Sequence, residues 1–144
     1  MALVELSYIK KLFKGGHESK GDPQAFRELL VMILARATDA DAYTHPAEVD
    51  TVQAVIKEHL GEDISSADVR IAALSDIYES APLEKCISRI SSQLSHAERQ
   101  SIVRALVAVL KADEHVASTE AGYFNMVANA LKLSYADVAG LTSE

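Results

Sequence analysis

Four carboxylates at a repeated spacing are the side chains best suited to chemistry in this chain. Asp41 is followed seven positions later by Glu48, and Asp113 is followed seven positions later by Glu120. Each pair lies in an acidic turn between two apolar stretches. The first turn also holds Asp39 and His45, and the second holds Glu114 and His115. Carboxylates gathered without a cation repel one another, and oxygen donors of this kind suit a hard ion such as Ca²⁺, Mg²⁺ or Mn²⁺. The two imidazoles widen the choice to Zn²⁺. The spacing is not the dense alternation of acids that marks an EF-hand loop. A local account competes with the metal. An Asp in a turn accepts nearby backbone amides, and a Glu early in a helix reaches back to the N-cap amide. Capping explains Glu48 and Glu120 well. It explains Asp41 and Asp113 less well, because each ends a helix whose dipole opposes a negative charge by about a few tenths of a kcal/mol. A shared site for Asp41, Glu48, Asp113 and Glu120 further requires that the two turns converge.

The two turns belong to a larger internal repeat. The offset between copies is 113 − 41 = 72. Sliding residues 26–60 onto 98–132 gives seven identities: Arg27/Arg99, Val31/Val103, Leu34/Leu106, Ala40/Ala112, Asp41/Asp113, Glu48/Glu120 and Val55/Val127. Most apolar positions coincide as well. The pattern is one degenerate repeat of a helix-turn-helix unit, so two helix pairs, about 23–60 and 95–132, are expected to superimpose about a pseudo-twofold axis.

The elements that must position the acids all carry helical signals. Asp22-Pro23 pairs an N-cap with a first-turn proline. Phe26, Leu29, Leu30, Ile33, Leu34 and Ala37 then form one apolar stripe, ending near Ala40. Pro46 opens a helix to about Leu60, with Val49, Val52, Val55 and Ile56 inward and Gly61 as its stop. Residues 65–68 (SSAD) start a helix expected to reach about Glu79, with Val69, Ile71, Ala72, Leu74 and Ile77 apolar. Pro82 opens another, carrying Cys86, Ile87 and Ile90. Residues 95–98 (SHAE) form a capping box. They open a helix with Ile102, Leu106, Val109 and Leu110, and a further helix begins near Ser118. Residues 134–137 (SYAD) cap a last helical turn. No stretch alternates with period two long enough to compete as a strand. The expected class is all-α, a compact bundle of about seven to eight helices joined by short turns.

Ahead of this core, residues 2–14 read as an amphipathic helix. Leu6, Ile9 and Phe13 line one face, and Lys10, Lys11 and Lys14 gather at its end. Residues 15–22 are polar and Gly-rich. The domain division is therefore 1–21, a basic N-terminal helix and its tether, and 22–144, the helical domain. Residues 2–14 are expected to dock on the domain or fray. A basic amphipathic helix can also lie on an anionic membrane surface.

Composition bounds the partners. The 144-residue chain is 49% hydrophobic and 24% charged, ordinary for one globular domain. Its net charge of −7 argues against free nucleic acid as a partner. The charge is uneven: residues 1–20 carry a net +2 and residues 38–63 a net −6. The longest apolar run, residues 29–35, is far too short to span a bilayer, and no secretory signal opens the chain. The lone Cys86 has no disulfide partner and fits a small core position in a reducing compartment. A cytoplasmic location is the expectation.

The pattern A-D-x-x-(V/T)-x-x-x-E between two apolar helices resembles the tellurite-resistance TerB-like family. It is carried by Ala40-Asp41, Thr44, Pro46 and Glu48 in the first copy, and by Ala112-Asp113, Val116 and Glu120 in the second. The similarity covers most of residues 22–140. The glycine that pattern expects after each Asp is Ala42 in one copy and Glu114 in the other. The small N-cap is His45 and Ala117. What the resemblance implies is an all-helical bundle with pseudo-twofold halves, acting as an accessory or metal-linked module in tellurite resistance and stress responses.

Three functions remain in view. The first is a non-enzymatic TerB-like binding module that holds a divalent cation, a protein partner or both. The second is a carboxylate-metal hydrolytic enzyme whose cluster activates a water. The third is a structural or homo-oligomeric adaptor whose acids are caps only. No phosphate loop or nucleophile elbow is present to favour catalysis.

Overall fold

The computed structural model describes residues 23–37, 49–74, 82–112 and 121–134. Every regular element among them is helical: α1 (Pro23–Arg36), α2 (Val49–Leu60), α3 (Ser66–Ala73), α4 (Leu83–Ser91), α5 (His96–Ala112) and α6 (Ala121–Ala130). The expected helix at 2–14 and the last turn at 134–137 fall outside or at the edge of the described residues.

The helix α1 lies at the centre. It packs against α2, α3, α4 and α5. All side chains from Leu29 to Ala35 are fully buried. The sequence pattern suggests a single stripe, yet Val31, Met32 and Ala35, off that stripe, are buried too. A helix flanked by four others has little solvent face, so the apolar stripe widens to the whole circumference. The same core takes Val52, Val55 and Ile56 from α2, Cys86, Ile87 and Ile90 from α4, and Ile102, Val103, Leu106 and Val109 from α5. From α6 and its C-terminal turn come Val127, Ala130 and Leu131.

Both capping boxes written in the sequence are present. Ser65 Oγ accepts the Asp68 amide at 3.0 Å, and Asp68 Oδ2 accepts the Ser65 amide at 3.4 Å. Ser95 Oγ accepts the Glu98 amide at 3.1 Å, and Glu98 Oε1 accepts the Ser95 amide at 2.9 Å. Each box satisfies amides that the first helical turn leaves without partners.

The helix α3 is shorter than its apolar pattern suggests. It ends at Ala73, with Leu74 as C-cap at φ −108° and ψ 20°. The Arg36 guanidinium, at the end of α1, donates from Nη1 to the Ala73 carbonyl at 2.8 Å. A side chain thus occupies an acceptor at the helix end. The pattern also overstates burial here: Ile71 and Leu74 are exposed. Residues 75–81, including Ile77, lie outside the described residues.

Two helices close through left-handed residues. Gly61 has φ +71° and its amide reaches the Lys57 carbonyl at 2.8 Å. At the end of α6 the left-handed residue is Lys132, φ 60°. Its amide bonds the Asn129 carbonyl at 2.9 Å, and the Leu133 amide bonds Ala128 at 3.1 Å. This is a Schellman closure, with Leu133 buried behind it. A side chain in this conformation costs about 1 kcal/mol, which glycine avoids.

Two stability measurements check this description. Ile33→Ala is expected to cost about 2–5 kcal/mol in denaturant unfolding, the range for truncating a fully buried aliphatic side chain. Lys132→Gly is expected to raise stability by up to about 1 kcal/mol, because relief of the left-handed strain outweighs the added chain entropy.

Candidate metal centre

The eight residues that sequence reasoning nominates are Asp41, Glu48, Asp113 and Glu120, with His45, His115, Asp39 and Glu114. All eight lie outside the described residues. What the structure supplies is the scaffold on either side of them. The first acidic turn is bracketed by α1 and α2, and the second by α5 and α6.

The starts of these brackets correspond at the 72-residue offset, while their ends do not: α5 runs to Ala112, four residues beyond the equivalent of Arg36, and α6 stops at Ala130, two short of the equivalent of Leu60. Adding 72 to the first residue of α2 gives 121, the first residue of α6. Adding 72 to the first residue of α1 gives 95, one before the start of α5. The helices that lead into the two turns, α1 and α5, pack directly on each other, and α2 packs on α5.

A second correspondence is chemical. Arg27 and Arg99 occupy equivalent positions near the starts of α1 and α5. Arg27 forms an ion pair with Glu62, just past the end of α2. Arg99 Nη1 donates to the Leu131 carbonyl at 3.0 Å and the Lys132 carbonyl at 3.4 Å, just past the end of α6. Each arginine therefore ties the start of the first helix to the end of the second. Each hairpin has its acidic turn at one end and an arginine at the other. In both, the guanidinium Nε is buried without an acceptor among the described residues.

Elsewhere the described residues hold little that resembles a ligand set. No three His, Cys, Asp or Glu among them gather closely enough to hold a metal ion. His59 sits at the end of α2, its Nδ1 3.1 Å from the Val55 carbonyl, and His96 is exposed at the start of α5. Cys86 is fully buried, and burial pushes its thiol up from 9.0 to about 11, with a backbone hydrogen bond and Lys85 acting weakly the other way. The core reading of this residue is the one the structure carries.

Of the buried polar residues Glu28, Ser91 and Gln93, one is a carboxylate, and the apolar pattern does not mark it. Glu28, on the central helix, is only 1% exposed, and Oε2 accepts from Gln24 Nε2 at 2.8 Å. The signal that could have found it is the Gln24/Glu28 spacing of four, which puts both on one helix face. A carboxylate beside an unbroken apolar run needs such a donor.

A scan against protein-family models matches residues 27–142 to the family described as tellurite resistance protein TerB. The chain belongs to the TerB tellurite-resistance family. The TerB match contains both acidic turns, the second helix pair whole and the first from Arg27 onward, and it leaves residues 1–26 outside. Neither the curated proteins nor the solved structures return a match. Among the described residues of this TerB chain, no helix is long and apolar enough to cross a membrane.

The thiol offers a direct check. A group whose folded pKa is raised favours the protonated form, so Cys86 contributes fully below about pH 9 and less as pH rises towards about 11. Alkylation by iodoacetamide at pH 8 is expected to be negligible in the native protein and fast in denaturant, because only the exposed thiolate reacts. Rapid native labelling would place Cys86 outside the core.

Proposed function

We propose that this TerB-family chain is a non-enzymatic binding module that holds a divalent cation at its paired acidic turns. The halves would be related by a pseudo-twofold axis, bringing Asp41, Glu48, Asp113 and Glu120 to one site. The observation that carries this reading is the correspondence of the two brackets. Helices whose starts match to within one residue at the 72-residue offset flank both turns, and equivalent arginines tie both helix pairs. Carboxylates brought together repel one another, and a hard ion would offset that repulsion.

Ca²⁺, Mg²⁺ and Mn²⁺ are the first candidates. Zn²⁺ enters if His45 and His115 contribute, with Asp39 and Glu114 as further donors. The role would be accessory, in tellurite resistance or a related stress response in the cytoplasm, with a protein partner reading the bound state. A hydrolase built on the same acids would also need a nucleophile position and a proton-transfer group, and the sequence provides no arrangement of that kind.

Calorimetric titration and thermal melting test the proposal together. A cation bound only by the folded state adds about 2.7 kcal/mol when present at a hundred times its Kd, so Ca²⁺ or Mn²⁺ is expected to raise Tm. The double substitution Asp41→Asn and Asp113→Asn is expected to abolish that rise. Without metal the same variant should be as stable as the parent or more so, because it removes repulsion. Absence of saturable binding by any of the four ions would leave the acids as caps. Metal-dependent hydrolysis lost in the same variant would turn the reading to an enzyme.

A further inference from the structure

We infer that the outer face of α3, at Ile71 and Leu74, is the docking surface for the chain's own N-terminal segment, residues 2–14. Ile71 and Leu74 are 53% and 63% exposed, and they are the two large apolar side chains that the described residues leave open to solvent. They lie three residues apart, so they share one helix face. The occupant is chosen by sequence and tether length.

Residues 2–14 lie outside the described residues, and the family match begins only at residue 27. Their sequence sets Leu6, Ile9 and Phe13 at helical spacing. Such a stripe needs an apolar surface to cover it. The same polypeptide offers one at Ile71 and Leu74.

Reach is sufficient. The Arg36 bond to the Ala73 carbonyl puts the C-terminal ends of α1 and α3 side by side. Ile71 and Leu74 therefore lie near the end of α1, while residue 22 enters at its start. The 14 residues of α1 are about 20 Å long. The tether, residues 15–22, spans about 26 Å when extended. Its glycines, Gly15, Gly16 and Gly21, permit the reversal that antiparallel return along α1 demands.

The docking does not depend on cation binding, and it persists whether or not the acidic turns hold an ion.

Hydrogen exchange on the full chain decides it. Amides of residues 6–14 are expected to exchange at least about tenfold slower in the parent than in the Ile71→Glu, Leu74→Glu variant. Both positions are exposed, so the variant is expected to keep its melting transition, which is measured alongside. A reciprocal variant, Leu6→Asp with Phe13→Asp, is expected to lose the same protection and to increase binding of a hydrophobic dye in proportion to the uncovered face. Equal exchange in parent and Ile71/Leu74 variant overturns the assignment. So does protection that arises only when anionic phosphatidylserine vesicles are added, which gives the stripe to a membrane. Protection that grows with protein concentration gives it instead to a second copy of the chain.

Discussion

The burial of α1 on all sides is the constraint from which the remaining architecture follows. Seven consecutive side chains, Leu29 to Ala35, have no contact with solvent. No single neighbour can cover a whole helical circumference, so α2, α3, α4 and α5 must surround it. Each surrounding helix then needs only one apolar face. Val52, Val55 and Ile56 on α2 and Cys86, Ile87 and Ile90 on α4 have that form. The outward faces are free to carry charge, and the acids of α2 are found there.

Enclosing a helix this tightly makes its ends and polar positions costly. Unpaired backbone groups at a buried terminus lose their water without replacement. Two arginines meet part of that demand at backbone carbonyls, and a third ties a helix end through a carboxylate. Arg36 caps the end of α3, Arg99 caps the end of α6, and Arg27 reaches Glu62 beyond α2. Arginine suits the task because its fork offers several donors from a planar, always charged group. Glu28 is the same problem inside the helix, met in part by Gln24 one turn earlier.

Much of this was legible in the sequence where the cause is local. Ser65/Asp68 and Ser95/Glu98 depend only on residues three apart, and both boxes form as written. Gly61 announces its left-handed turn because no other residue adopts it so cheaply. Lys132 gives no such sign, since its strain is held by the Schellman bonds and the burial of Leu133. The run at 29–35 shows one apolar stripe by its periodicity; that the whole circumference is buried depends on four neighbours that periodicity does not see. Ile71 and Leu74 are apolar at helical spacing, yet both are exposed. Of the candidate site, the repeat and its brackets were legible as a 72-residue offset. The approach of the two turns is a tertiary matter that spacing alone leaves open, and the acids themselves lie outside the described residues.

The two halves show which parts of the repeat tolerate different chemistry. Both hairpins are shut by an arginine at the same position, but one uses a side-chain carboxylate and the other backbone carbonyls. One second helix stops on glycine and the other on a strained lysine. In each case the requirement is geometric, a closed helix end, and several residue types meet it. The acidic pairs are unlike this. Ala40-Asp41 and Glu48 recur as Ala112-Asp113 and Glu120 with residue type and spacing both intact, while the positions between them differ. A cap would accept Ser, Thr or Asn in place of Asp, so capping alone does not account for the same acid in both copies. A ligand that requires anionic oxygen would account for it at both turns at once, which is what favours the proposed cation over two independent caps.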